Sequence, residues 1–226
     1  MAATPDPIPL PLWPIPKPTK KLVYVARILT PSWARAMPGS GERLVKVSTE
    51  NSWGRGGTRL LIEDSGLDHR GREWIKVHLP NRPNGLSGWI RADGAAISKN
   101  RYRVSISTRA RRLFLYKDNK RIGSWRVVVG APETPTPKGD FAVYEVLPQA
   151  NPEDFIGPWA LHLTAHSDVL ENFGGGPGRV AMHGRSGASF LDPLGTAASH
   201  GCIRMNNDRI KYLARILRPG TPVKIR

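Results

Sequence analysis

Apolar and polar positions alternate with a period of two along much of the chain, which predicts half-buried strands rather than helices. In residues 101–107, Tyr102, Val104 and Ile106 share one face while Arg103 and Ser105 take the other. Residues 22–25 (LVYV), 74–79 (WIKVHL) and 88–90 (GWI) read as further strands, with turn chemistry in 80–85 (PNRPNG) between the last two. Residues 111–116 and 121–129 flank Lys117, Asp118, Asn119 and Lys120, a hairpin turn by composition. Residues 141–147, 159–163 and 221–225 add strands, and the glycine-rich 174–178 reads as a loop. One stretch has the helical period. Ile210, Leu213, Ala214 and Leu217 line one side, Asn206 or Asn207 caps the start, and Pro219-Gly220 ends it. Asp208 in its first turn and Arg215 and Arg218 toward its end suit the helix dipole. The predicted class is mainly β with one clear helix near the C-terminus.

Seven of the first twenty residues are proline, so residues 1–20 are expected to form an extended proline-rich tether. They lack a charged segment followed by an apolar one and do not read as a signal peptide. Residues 21–98 hold short strands and turns without a helix and are expected to close a small β-barrel. Residues 99–226 form the second, β-rich domain. No apolar run approaches the roughly 18 residues that cross a bilayer. The lone cysteine, Cys202, excludes a disulfide scaffold. Thirty-four Lys and Arg against 18 Asp and Glu give a net charge of +16. Such a chain should meet polyanions: nucleic acid, anionic lipid or an anionic cell wall.

The chemistry concentrates in residues 180–205 (VAMHGRSGASFLDPLGTAASHGCIRM). The only cysteine stands two residues after His200, and His183 lies sixteen residues before Ser199. A thiol needs a nearby base to become a good nucleophile, and a histidine partner can lower its pKa. Gly201 allows positive φ or close approach of a substrate, and backbone N–H groups around Cys202 are placed to hold an oxyanion. Spacing alone leaves either histidine as the base.

These residues closely resemble the L,D-transpeptidase (YkuD) family, whose signature is His-Gly, a gap of some fifteen residues, then Ser/Thr-His-Gly-Cys. Here it reads His183-Gly184 and Ser199-His200-Gly201-Cys202-Ile203-Arg204. Thr136-Pro137-Lys138-Gly139-Asp140-Phe141, Gly157-Pro158-Trp159 and Gly220-Thr221-Pro222-Val223 fit as well, so the likeness spans about residues 100–226. Arg185 and Asp140 depart from the usual small residues without removing a catalytic group. The run WIKVHLP…NGLSGWI is similar to bacterial SH3-like domains, in which a Gly-Trp-Ile strand closes the barrel.

The resemblance implies an acyltransferase without a metal or other cofactor, acting on peptidoglycan stem peptides outside the cytoplasm, at the cell wall or in the periplasm. Cys202 would attack the bond between the third residue of a tetrapeptide stem and its terminal D-alanine. The resulting thioester would pass to the side-chain amine of a second stem. By family position His183 is the base, its other ring nitrogen held near Gly184. His200 and Gly201 shape the oxyanion site, Ser199 orients a neighbour, and Arg204 holds a substrate carboxylate or braces the loop. Carbapenems are the expected covalent inhibitors. Two other readings stand beside this one: an L,D-carboxypeptidase that passes the thioester to water, and a non-catalytic wall-binding protein.

Other residues read more plainly. His162 and His166 alternate as on a strand, where four residues span about 13 Å, too far for one metal. His69 and His78 read as surface residues, and Trp74 and Trp89 as barrel core. The basic stretch 101–126 carries nine Lys and Arg against one acid and reads as a solvated face. No nucleic-acid-binding motif accompanies it, so no nucleic-acid partner is expected, and anionic wall polymers would account for the same charge.

Overall fold

Seven short strands, each with few inward side chains, build the first half: β1 (Val23–Ile28), β2 (Ser32–Met37), β3 (Ser40–Val47), β4 (Arg59–Leu67), β5 (Glu73–His78), β6 (Ser87–Arg91) and β7 (Ala95–Asn100). They pair antiparallel in the order β3-β2-β6-β5-β4-β1-β7. This is a computed structural model, and it describes residues 13–51, 56–172 and 176–226. The inward faces gather Tyr24, Ala26, Leu60, Ile62, Ile75, Val77 and Ile90 into one buried cluster. Residues 1–12 of the expected tether lie outside the described residues. Its remainder is not wholly free, because Ile15 is buried in that cluster and its carbonyl accepts from Ser65 Oγ at 3.0 Å.

A second sheet follows one residue later. Its elements in chain order are β8 (Tyr102–Ser107), β9 (Arg112–Lys117), β10 (Lys120–Arg126), β11 (Val129–Gly130), β12 (Gly139–Pro148), β13 (Trp159–His166), β14 (Arg179–His183), β15 (Ala197–Ser199), β16 (Ile203–Arg204), α1 (Asn207–Ile216) and β17 (Pro222–Ile225). Eight strands run β10-β9-β8-β17-β12-β13-β14-β16, while β11 pairs in parallel with β15. The mainly β class is as predicted, and α1 is the single α-helix among the described residues. Asn206 caps α1, its side chain accepting from the Asp208 N–H at 2.9 Å. Ile210, Leu213, Ala214 and Leu217 bury against Leu161, Leu163, Met182 and Ile203. The β9–β10 turn places Asp118 and Asn119 at positive φ, as a two-residue hairpin with right-handed twist requires.

A polar seam joins the halves. The Asn84 side chain donates to the His166 carbonyl and accepts from its N–H, both at 2.8 Å. Arg179 donates to the Pro80 carbonyl at 3.0 Å and lies over the Tyr144 ring.

Three expectations need correction. His78 is buried, not superficial, with Nδ1 2.9 Å from the Glu63 carboxylate. Trp89 is not part of the core: the cross-strand register puts it opposite Lys76, on the face away from Ile75 and Ile90 that it shares with Trp74. Trp74 is nonetheless buried, its indole N–H bonded to Asp68 under the Arg91 guanidinium, and Trp89 is half-buried over Gly66. The run 121–129 is not one strand but two, β10 and β11. Of the loop 174–178, Gly174 and Gly175 lie outside the described residues.

Candidate active site

Strand pairing brings the two halves of the motif together. β14 and β16 run parallel with Met182 opposite Ile203 and His183 opposite Arg204. Register partners point the same way and residues two apart share a face, so Cys202, just before β16, lies on the His183 side. The Ala181 N–H, 3.4 Å from Cys202 Sγ, ties the sulfur to the same strand. Cys202 is half-buried and His183 is 3% exposed.

His183 Nδ1 lies 2.8 Å from the Gly184 carbonyl, which can only accept, so Nδ1 carries the proton and Nε2 is left as the basic nitrogen. Burial lowers its pKa to about 4. The Gly184 and Ile156 carbonyls pull the other way, and the Arg204 charge lowers it further. The imidazole is therefore neutral at pH 7. Burial also pushes the Cys202 thiol up, against opposing effects of the Ala181 N–H and Arg204. The expected lowering of the thiol pKa by a histidine partner is not seen: at rest the sulfur is a thiol and the His183 ring is neutral.

The bend that presents the sulfur is held from several sides. Ser199, 1% exposed, donates through Oγ to the Cys202 carbonyl at 2.6 Å and accepts from the Gly201 N–H at 3.2 Å. Gly201 has φ +111°, a conformation L side chains rarely adopt. Since its N–H is turned to Ser199, Gly201 contributes the bend rather than an oxyanion donor. Thr136 Oγ1 donates to the Gly201 carbonyl at 2.8 Å, and Thr134 Oγ1 donates to that of Ser199 at 3.1 Å. A Cβ on Gly130 would meet the Thr134 carbonyl at 2.3 Å, so only glycine lets this strap close. His200 is exposed at the outer edge of the bend.

Both arginines of the motif turn to the chain between its halves. Arg204 pairs with Asp192 and stacks over Phe155 at 4.7 Å. Arg185 donates to the carbonyls of Ser189, Phe190 and Asp192 at 3.1, 2.9 and 2.8 Å. Those contacts favour bracing over carboxylate binding for Arg204, and they give Arg185 a structural reason to depart from a small residue. Sequence reasoning missed Asn207. Its side chain accepts from the Arg185 N–H at 2.7 Å and donates to the Arg185 carbonyl at 2.9 Å, beside Gly184. Asn207→Ala orphans both groups, and about 2–4 kcal/mol of stability should be lost, read from the urea midpoint. A midpoint within error of wild type would remove Asn207 from the supports of the site.

Comparison with known proteins identifies the family of the second half of the chain. The pattern of the YkuD L,D-transpeptidase catalytic domain matches residues 101–225. The YkuD proteins of Bacillus licheniformis and Bacillus subtilis strain 168 are 33% and 32% identical over 124 residues, 55% of this chain in each case. The chain spans 65% of the length of either relative. Among solved structures, an Enterococcus faecium L,D-transpeptidase is 23% identical with a TM-score of 0.42, over 55% of this chain and 49% of that one. An L,D-transpeptidase of Mycobacterium tuberculosis H37Rv is 14% identical with a TM-score of 0.48, over 75% and 90%. With more than half its residues matched, this chain belongs to the L,D-transpeptidase (YkuD) catalytic-domain family.

Proposed function

We propose that the protein is a peptidoglycan L,D-transpeptidase working outside the cytoplasm, with Cys202 as nucleophile and His183 as general base. The observation that carries the reading is the fixed tautomer of His183, which leaves Nε2 as the proton acceptor on the face of the β14–β16 pair that presents the sulfur. As Sγ attacks the carbonyl of the third stem residue, the thiol proton moves to Nε2 and an S–C bond forms. The imidazolium returns that proton to the departing D-alanine nitrogen as the C–N bond breaks. The Cys202 N–H and the nearby Arg204 cation favour the oxyanion, and Arg204 also favours the thiolate along the way. A low basicity at His183 suits the second half of this cycle, because a weakly held proton is readily given up. The side-chain amine of an acceptor stem then attacks the thioester, loses a proton to Nε2, and releases the cysteine.

The assignment of residues 21–98 as an SH3-like barrel and 99–226 as the catalytic domain belongs to the same proposal. It is supported by two separate buried clusters, one under each sheet.

Intact-mass analysis tests the reading. Incubation with a tetrapeptide stem should add the stem mass less D-alanine to the wild type and nothing to Cys202→Ala. A second stem with a free side-chain amine should clear the adduct and give a cross-linked dimer. Free tripeptide alone would make the protein a carboxypeptidase, and no adduct or product at all would leave a wall-binding protein. A carbapenem should give its own adduct on Cys202 in the same assay.

A further inference from the structure

The outer face of β8, β9 and β10 takes no part in the chemistry above, yet its composition is lopsided. Residues 102–117 and 120–126 contain eight Lys and Arg, six of them Arg, and not one carboxylate. The one acid within this stretch of sequence, Asp118, is paired with Arg101 at 3.3 Å. The register sets the cations in columns: Arg103 and Arg121 both lie opposite Tyr116, and Arg126 lies opposite Arg112. A bulge between Arg121 and Gly123 keeps Arg121, Ser124 and Arg126 on this one face.

These cations are held, not merely present. The Arg103 guanidinium stacks on Tyr116 at 3.8 Å and donates to Asn119 Oδ1 at 2.9 Å. Arg121 lies over Phe114 at 6.0 Å, and Arg112 donates through Nε and Nη2 to Ser124 Oγ at 3.1 and 2.9 Å. Stacking fixes a guanidinium fork while leaving outward N–H groups for an anion. It also decides which polyanion fits. Single-stranded nucleic acid is held by bases stacking on bare aromatic faces. Here the two outward rings of β9 are covered by the protein's own arginines, so the surface offers charge without a stacking platform.

We propose that this face binds a base-free phosphodiester polymer, the polyol-phosphate chains of a cell wall, and so holds the enzyme at its substrate. Arg103 and Arg121 stand two strand spacings apart, about 10 Å, and Arg112 lies about 13 Å along the strands from Arg103, so the patch contacts a chain at several phosphates. The far end of the patch reaches the segment that leads into the catalytic bend. Arg111 Nη1 lies 3.4 Å from the carbonyl of Gly195, seven residues before Cys202. Binding here is separate from acyl transfer, since no residue of the patch belongs to the catalytic bend.

The test uses the full chain and purified poly(glycerol phosphate), with affinity measured over a range of salt. The triple variant Arg103→Gln, Arg121→Gln, Arg126→Gln should lose affinity about tenfold or more, and the slope of log K against log[salt] should shrink by roughly two to three. Arg43→Gln, Lys46→Gln, Lys76→Gln removes the same charge from strands of the first sheet and should leave affinity within about twofold. Replacing the three arginines by lysine should restore most of the binding, which guards against misfolding as the cause of loss. Thioester formation with a soluble stem should be unchanged in every variant, so failure here and failure of the acyl-transfer reading are told apart. The proposal is overturned by no wild-type binding, by equal losses in both triple variants, or by tighter binding to oligothymidylate or phosphatidylglycerol vesicles than to the polymer.

Discussion

Replacing His183 by glutamine is expected to slow thioester formation on Cys202 by about 10²–10⁴-fold, the usual loss when a positioned base is removed. The shape of the wild-type pH profile is the sharper part of the expectation. Because burial holds His183 near a pKa of about 4, its Nε2 lone pair is available throughout the neutral range and well into acid. The single-turnover rate, counted per folded molecule, should therefore stay level as pH falls from 7 through 6 and 5, and drop only near 4. An exposed histidine would instead produce a limb near 6.5. Since the thiol is pushed up, the acid limb does not come from protonating a resting thiolate. A limb at 6 to 7 would mean that the ring is solvated or charged at rest, and the thiol–imidazole description would fail. The variant's unfolding midpoint at pH 7.5 separates loss of the base from loss of the fold.

The residues that proved legible are those whose constraints are local. Ser199 to Cys202 is one tight bend, so its chemistry is written in four adjacent letters. The helix from Asn207 was readable because its cap, its apolar stripe and its Pro-Gly stop all fall within fifteen residues. The sequence reading missed β2 and β3 for the opposite reason: β3 is an edge strand and both are largely exposed, leaving no alternation to see. β4 was missed although Leu60 and Ile62 do alternate inward, because two buried positions make a weak signal.

Side-chain partners across long separations were the other blind spot. His78 looked superficial because nothing nearby marks Glu63, fifteen residues earlier, as its partner. Trp74 is buried as expected, but nothing nearby in sequence shows that Asp68 and Arg91 shelter it. The strap from Thr134 to Thr136 was visible as a Thr-Pro turn, but its grip on the Ser199 and Gly201 carbonyls, 65 residues away, exists only once β11 pairs with β15. Arg185 shows the same limit. The sequence marks it only as a departure from a small residue, whereas its guanidinium is committed to three carbonyls of the next turn.

Mild acid should destabilise the protein well before its carboxylates are protonated. His162, His166 and His183 are each held near a pKa of about 4, in every case first by burial, and with the Arg179 charge lowering the first two. In the unfolded chain each takes up a proton near pH 6.5. Above that value all three are neutral in both states and stability is level. Between about 6.5 and 4 the unfolded chain binds up to three more protons than the native one, so stability falls as pH falls. Each such proton is worth about 1.4 kcal/mol per pH unit, or about 4 kcal/mol per unit for the three together where the window is steepest. By pH 5 the loss comes to about 6 kcal/mol, a large part of a total stability of about 5–15 kcal/mol. The urea midpoint should thus be flat from pH 8 to 7, clearly lower at 6, and lower again at 5. His162→Gln should flatten the slope by about a third, since glutamine cannot take up the proton. Equal midpoints at pH 7 and pH 5 would show that these rings are charged or hydrated in the native protein, and with that the electrostatic account of His183 as a neutral base would go too.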